Sequence, residues 1–161
     1  MNNKILIAAS AALTISIAGL AKAEPQAEVL HWWTSGGEAK SVAVLQEEFA
    51  SRGGTWTDMP VAGGGGDAAM TALRARVLAG NAPTAVQLKG PAIQEWYEEG
   101  VLADISSVAE SQGWSDVLPA SIAGHMKCEG TWCAAPVNVH RIDWIWANAA
   151  VLAENGISMP T

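Results

Sequence analysis

The sequence predicts an α/β fold with parallel neighbouring strands. Short apolar runs of strand length alternate with longer runs of helical periodicity in the order strand, helix, strand, helix, strand through the first half. Clusters of Gly, Pro and Asn fall at the breaks between them.

Taken in chain order, residues 1–23 come first. A short basic start, Met1-Asn2-Asn3-Lys4, leads into the uncharged run from Ile5 to Leu20 and ends at Ala21-Lys22-Ala23. This is the pattern of a secretory signal peptide cleaved before Glu24. The run falls short of the roughly 20 apolar residues that span a bilayer, so no stable membrane insertion is expected. Val29 to Trp33 reads as the first strand. After Ser35-Gly36-Gly37 a helix from Glu38 to about Ala50 sets Val42, Leu45 and Phe49 on one face. Thr55 to Val61 is a second strand. The run Gly63 to Gly66 reads as a flexible turn, and it lacks the Lys-Ser/Thr ending of a phosphate-binding loop. Asp67 can cap a helix over Ala68 to Ala79 with Met70, Leu73 and Val77 inward. Ala85 to Leu88 is the third strand and Ala92 to Glu99 a short helix, with helices and loops to Gly124. A hairpin around Glu129-Gly130 follows, then a strand through Pro136 to Val139, another from Ile142 to Trp146, and a helix from Ala147 to Asn155.

Composition narrows the partners. Nine Lys plus Arg against sixteen Asp plus Glu give a formal charge of −7, which leaves no concentrated basic face for nucleic acid. Eight Trp stand beside one Tyr and one Phe, an excess that suits surfaces meeting something flat and half polar. Cys128 and Cys133 flank the Glu129-Gly130 turn, and in an exported chain such a pair reads as a disulfide. His125, Cys128, Cys133 and His140 keep a zinc reading open, although the spacing H-x2-C-x4-C-x6-H fits no familiar finger; no metal and no cofactor are expected.

In parallel α/β sheets, ligands lie beyond the carboxyl ends of the strands. Two segments fall there, Trp33-Thr34-Ser35-Gly36-Gly37-Glu38 and Gln87-Leu88-Lys89-Gly90. Each residue has an ordinary alternative: Glu38 suits the first turn of any helix, Lys89 suits a solvated loop, and His31 suits a satisfied core histidine. Together, an aromatic face, a carboxylate and an ammonium are the groups that grip a sugar, by stacking on its C–H face and by charge-assisted hydrogen bonds to its hydroxyls.

Four segments, in order, carry a resemblance: VLHWWTSGGE, GGGGDAAMTALRARVLAGNAPTAVQLKGP, EEGVLADIS and CEGTWCAAPVNVHRIDWIWANAAVL. They resemble the extracellular sugar-binding proteins of ABC transporters, nearest the glucose/mannose-binding type, with the maltose-binding type a more distant relation. The resemblance implies a class II periplasmic-binding-protein-like fold, two α/β lobes with the sugar in the cleft between them. It implies a first lobe over 24–133, a hinge crossing and the beginning of a second lobe over 134–161, and hence an N-terminal fragment of such a protein. Position by position, it assigns sugar binding to Trp33 and Glu38, with Trp32 sharing the stacking, to Lys89 with Gln87 beside it, and to Asn138, His140 and Arg141 at the crossing. It also implies a periplasmic protein that delivers a mono- or short oligosaccharide to the permease subunits of its transporter and catalyses nothing. Two other classes remain, a secreted carbohydrate-active enzyme and a structural or adhesive exported domain. The enzyme needs a second acid at a defined separation, and Glu38 has no obvious partner at a matching strand end.

Overall fold

The computed structural model describes residues 24–139 and 146–158. The chain divides into two compact units between Gln87 and Leu88.

In the first unit, β1 (Gln26–His31), α1 (Gly36–Ser51), β2 (Thr55–Pro60), α2 (Asp67–Leu78) and β3 (Ala85–Val86) alternate, and the sheet order is β2-β1-β3. Both pairings are parallel, with His31 opposite Pro60 and Leu30 opposite Met59 and Val86. Backbone bonds carry the ladders past the strand ends, from Val61 N–H to the His31 carbonyl and from Gln87 N–H to the Leu30 carbonyl, both at 2.8 Å. The middle strand is thus extended on both sides toward one carboxyl end, which is where the parallel topology puts ligand groups. Leu30 is fully buried, and Val42 of α1 and Ala69 and Leu73 of α2 are buried too. Arg76 of α2 grips Glu28 of β1 with both guanidinium nitrogens at 2.8 and 2.6 Å, and its Nε donates to the Asn81 carbonyl at 2.8 Å. The Arg76 hydrogen bond, reinforced by its charge, holds the Glu28 carboxyl below its ordinary range against the opposing pull of burial.

Several local expectations shift. The first strand starts three residues earlier than Val29 and ends before the two Trp residues, because pairing to Thr55 and Trp56 recruits Gln26 and Ala27. Leu45 is exposed while Val42 is buried, so the inward stripe of α1 runs through Ala39, Val42 and Gln46 instead. Asp67 is the first residue of α2 and caps nothing; Gly66 is the N-cap, at φ 110°, and its amide end carries no side-chain cap. The glycine run contains a short 3-10 turn, Gly64–Gly66, interrupted by Gly65 at φ 55°.

The second unit holds α3 (Ala92–Glu98), α4 (Ser106–Ser111), α5 (Trp114–Val117), α6 (Ala120–His125), a hairpin of β4 (Lys127–Cys128) and β5 (Thr131–Trp132), and α7 (Ala149–Glu154). Glu129 and Gly130 both take positive φ, 50° and 87°, as a two-residue turn twisted to match its strands requires. Cys128 and Cys133 are joined in a disulfide with their Cα atoms 5.8 Å apart, and both pack with Ile93 against Leu88, Tyr97 and Met126. Trp114 meets Trp132 edge to face at 5.4 Å, and the Lys127 ammonium sits 4.7 Å from the Trp132 ring.

The strand expected through Pro136 to Val139 does not form. Val137 and Val139 are exposed, and among the described residues no strand lies beside them to complete a ladder. Of the strand expected from Ile142 to Trp146, residues 142–145 lie outside the described residues, and Trp146 is exposed. The last helix is confined to α7 by Asn148, whose side-chain oxygen accepts from the Ala150 and Val151 amides. Among the described residues no helix is long and apolar enough to cross a membrane; the signal sequence expected at 1–23 lies outside them.

Candidate functional site

The carboxyl ends of β1 and β2 and the inner stripe of α1 enclose an open hollow of about 360 Å3 in the first unit. His31, Trp33 and Thr34 line it from β1 and the residues beyond, Asp58, Pro60 and Ala62 from β2 and its continuation, and Ala39, Val42 and Gln46 from α1. The last three are spaced at i, i+3 and i+7, so one face of the helix forms that wall.

Two expected sugar contacts divide between the faces of the sheet. Trp33 is 5% exposed and lines the hollow. Trp32 is half-buried, its backbone N–H donates to the Gln87 side-chain oxygen at 3.1 Å, and its indole lies against Gly66. Gln87 is therefore brought to Trp32 at the end of β3. Glu38 is exposed in the first turn of α1, one residue before the hollow-lining Ala39. Lys89 is exposed and belongs to the second unit, as does the exposed Asn138; His140 and Arg141 lie outside the described residues.

Sequence reasoning missed the polar pair in the wall of the hollow. His31 is 5% exposed, and its Nε2 lies 2.9 Å from Asp58 Oδ1. A carboxylate only accepts, so the nitrogen facing it, Nε2, carries a proton. The other ring nitrogen, Nδ1, is buried and has no hydrogen-bond partner among the described residues. Asp58 also accepts from Trp56 Nε1 at 3.1 Å and from Gln46. Burial alone would raise its carboxyl, but the hydrogen bonds from His31, Trp56 and Gln46 and the histidine's charge outweigh it and hold the group below its ordinary range. The histidine is thus a core residue, as expected, but it is satisfied on one nitrogen only. The available signal was the even spacing of the side chains in each strand, which becomes informative only once the parallel register sets Asp58 beside Val29.

Residues 44–160 match the family model for bacterial extracellular solute-binding proteins. Among curated relatives, a protein described as a probable sugar-binding periplasmic protein in Rhizobium meliloti is 51% identical over 98% of this chain and 38% of its own length. One of the same description in Brucella melitensis is 52% identical over 95% of this chain and 37% of its own length. The chain spans less than two-fifths of the length of these relatives. An ABC substrate-binding protein from Listeria monocytogenes, solved in complex with cycloalternan, superposes with a TM-score of 0.59 at 19% identity, over 86% of this chain and 35% of that one. Its likeness is one of fold, a mixed sheet-and-helix lobe of the kind built here. The chain belongs to the bacterial extracellular solute-binding protein family.

Proposed function

We propose that this chain carries the first sugar-facing lobe of a periplasmic sugar-binding component of an ABC importer, which captures a neutral mono- or short oligosaccharide and hands it to the permease without chemical change. The observation that carries the reading is the identity of 51–52% to two proteins described as probable sugar-binding periplasmic proteins, which extends over nearly the whole chain. The site supports it chemically: indole rings for the C–H face of a pyranose, with a carboxylate and an amide for its hydroxyls, at the carboxyl end of a parallel sheet.

In this reading Trp33 and Trp32 supply the aromatic surface, Glu38 and Lys89 the charge-assisted hydrogen bonds, and Gln87 both the Trp32 anchor and a neutral contact. Asn138, His140 and Arg141 belong to the crossing between lobes. In the whole protein a second lobe closes over the sugar, and closure follows only if the sugar binds the closed state more tightly than the open one. The permease then reads the closed state.

Glu38→Gln tests it with little risk to the fold, because the side chain is exposed. Calorimetric titration with neutral sugars is done on a chimera in which residues 24–158 replace the matched segment of the Rhizobium meliloti relative. Loss of a hydrogen bond from an ionised group predicts a deficit of about 1.5–3 kcal/mol, larger than for Ser35→Ala. Equal affinity for Glu38→Gln and the parent would remove Glu38 from the site.

A further inference from the structure

We propose that Asn155 is a modification site: its side chain deamidates spontaneously through a cyclic imide closed by the Gly156 amide nitrogen, which turns the C-terminal cap of α7 into an acidic one. The proposal is independent of the sugar-binding reading above. Three observations converge on it. Of the asparagines in the chain, Asn155 alone is followed by glycine, the residue with no Cβ to obstruct a side chain that closes on the next amide nitrogen. Asn155 and Gly156 are both exposed, so water and hydroxide reach them. The helix they end is six residues long and buries none of them. That is far below the roughly 12–15 residues at which an isolated helix becomes even marginal, so α7 belongs to the low-stability end of the structure.

The cap itself shows where the chemistry starts and what it undoes. Gly156, at φ 68°, turns the chain so that its N–H donates to the Ala153 carbonyl at 3.1 Å and the Ile157 N–H to the Leu152 carbonyl at 2.9 Å, while Asn155 Nδ2 donates to the Val151 carbonyl at 2.8 Å. The Gly156 nitrogen is therefore held by Ala153, and the reaction proceeds when the last turn opens. Hydroxide removes the Gly156 amide proton, the nitrogen attacks Cγ of Asn155, and the Cγ–Nδ2 bond breaks. The departing nitrogen takes a proton from water and leaves as ammonia, which restores the hydroxide. Water then opens the imide at Cγ to give aspartate, or at the backbone carbonyl carbon to give isoaspartate; nothing is oxidised or reduced. Either product replaces the donor to Val151 by a carboxylate at the negative end of the helix dipole, where like charge is disfavoured. Isoaspartate also lengthens the backbone by a methylene inside the cap, so the turn does not close again as before.

The test is peptide mapping by mass spectrometry of the chimera of residues 24–158 with the Rhizobium meliloti relative, folded by circular dichroism and incubated at physiological temperature from neutral to mildly alkaline pH. The tryptic peptide that begins at Ile142 is expected to gain the mass of an amide turned acid at Asn155, as aspartate and isoaspartate together, at a rate that rises in proportion to hydroxide. That rate is expected to stay within about tenfold of the rate in an unstructured peptide of residues 146–158, since opening at the low-stability end costs little. Asn148, followed by Ala149, is expected to stay an amide over the same period. Gly156→Ala separates ring closure from exposure. Alanine is disfavoured at φ 68° and loosens the cap, yet its methyl group hinders attack by the nitrogen, so the expected rate falls several-fold. An Asn155 that stays intact in the chimera while the free peptide converts would overturn the proposal. So would an undiminished rate in Gly156→Ala, or aspartate formed without isoaspartate, the mark of direct hydrolysis.

Discussion

Gly66→Ala is the substitution whose cost follows most directly from the geometry. Gly66 caps α2 at φ 110°, and a Cβ built there stands 3.1 Å from Cδ2, Cε3 and Cζ3 of the Trp32 indole. Two costs arise. Placing an L side chain at that φ takes about 1–2 kcal/mol. Carbon contacts are most favourable at 3.5–4.0 Å, so the indole must retreat by several tenths of an ångström within its packed surroundings, at about 1–2 kcal/mol more. Gly63 separates the two. It also has positive φ, 100°, yet a Cβ there meets nothing within 4 Å. Denaturant unfolding followed by circular dichroism is therefore expected to give a loss of about 1–2 kcal/mol for Gly63→Ala and about 2–4 kcal/mol for Gly66→Ala, with a perturbed Trp signal in the second only. Equal losses, or an unaltered Trp32 environment in Gly66→Ala, would refute the packing of α2 on the indole.

Other outcomes follow from the same structure. Removing the disulfide by Cys128→Ser with Cys133→Ser opens a loop of sequence separation 5, for which the chain-entropy relation gives a loss of about 2 kcal/mol; thiol titration of the unreduced parent should find neither cysteine reactive. Glu28 and Asp58 both have lowered carboxyl pKa values in the folded chain. Their contribution is present above the unfolded carboxylate value of about 4 and is lost as pH falls through the lower folded values, so acid titration of stability should steepen there and Asp58→Asn should flatten it. Arg76→Met should lower the melting temperature and remove the Glu28 part of that acid slope, because both guanidinium bonds to Glu28 go with it; an unchanged slope would count against the ion pair.

Local sequence carries most of the first unit. The apolar run ending at Leu30 and His31 and the stripe through Leu73 depend on neighbours within a few residues, and they fold as their periodicity implies, whereas on α1 Val42 turns inward as expected but Leu45 does not. What depends on partners distant in the chain was less legible. The extra residues of β1 exist because Thr55 and Trp56 pair with them, and the run Pro136 to Val139 stays out of a sheet because no strand among the described residues lies beside it. The site divides in the same way. Trp33, Glu38 and Gln87 stand out from their positions after strands, whereas the His31–Asp58 pair joins residues 27 apart and emerges only from the parallel register. The disulfide sits between the two cases, since the five-residue spacing and the Glu129-Gly130 turn specify a hairpin that brings the sulfurs together.

The most direct measurement of the central claim is a fluorescence titration, with neutral mono- and oligosaccharides, of the chimera in which residues 24–158 replace the matched segment of the Rhizobium meliloti relative, since Trp32 and Trp33 report from the proposed site. Sugar binding predicts a saturable change in emission with at least one of them, diminished in Glu38→Gln, whose exposed carboxylate leaves the fold intact. A chimera that is folded by circular dichroism but whose emission responds to no neutral saccharide, at concentrations well into the millimolar range, would contradict it.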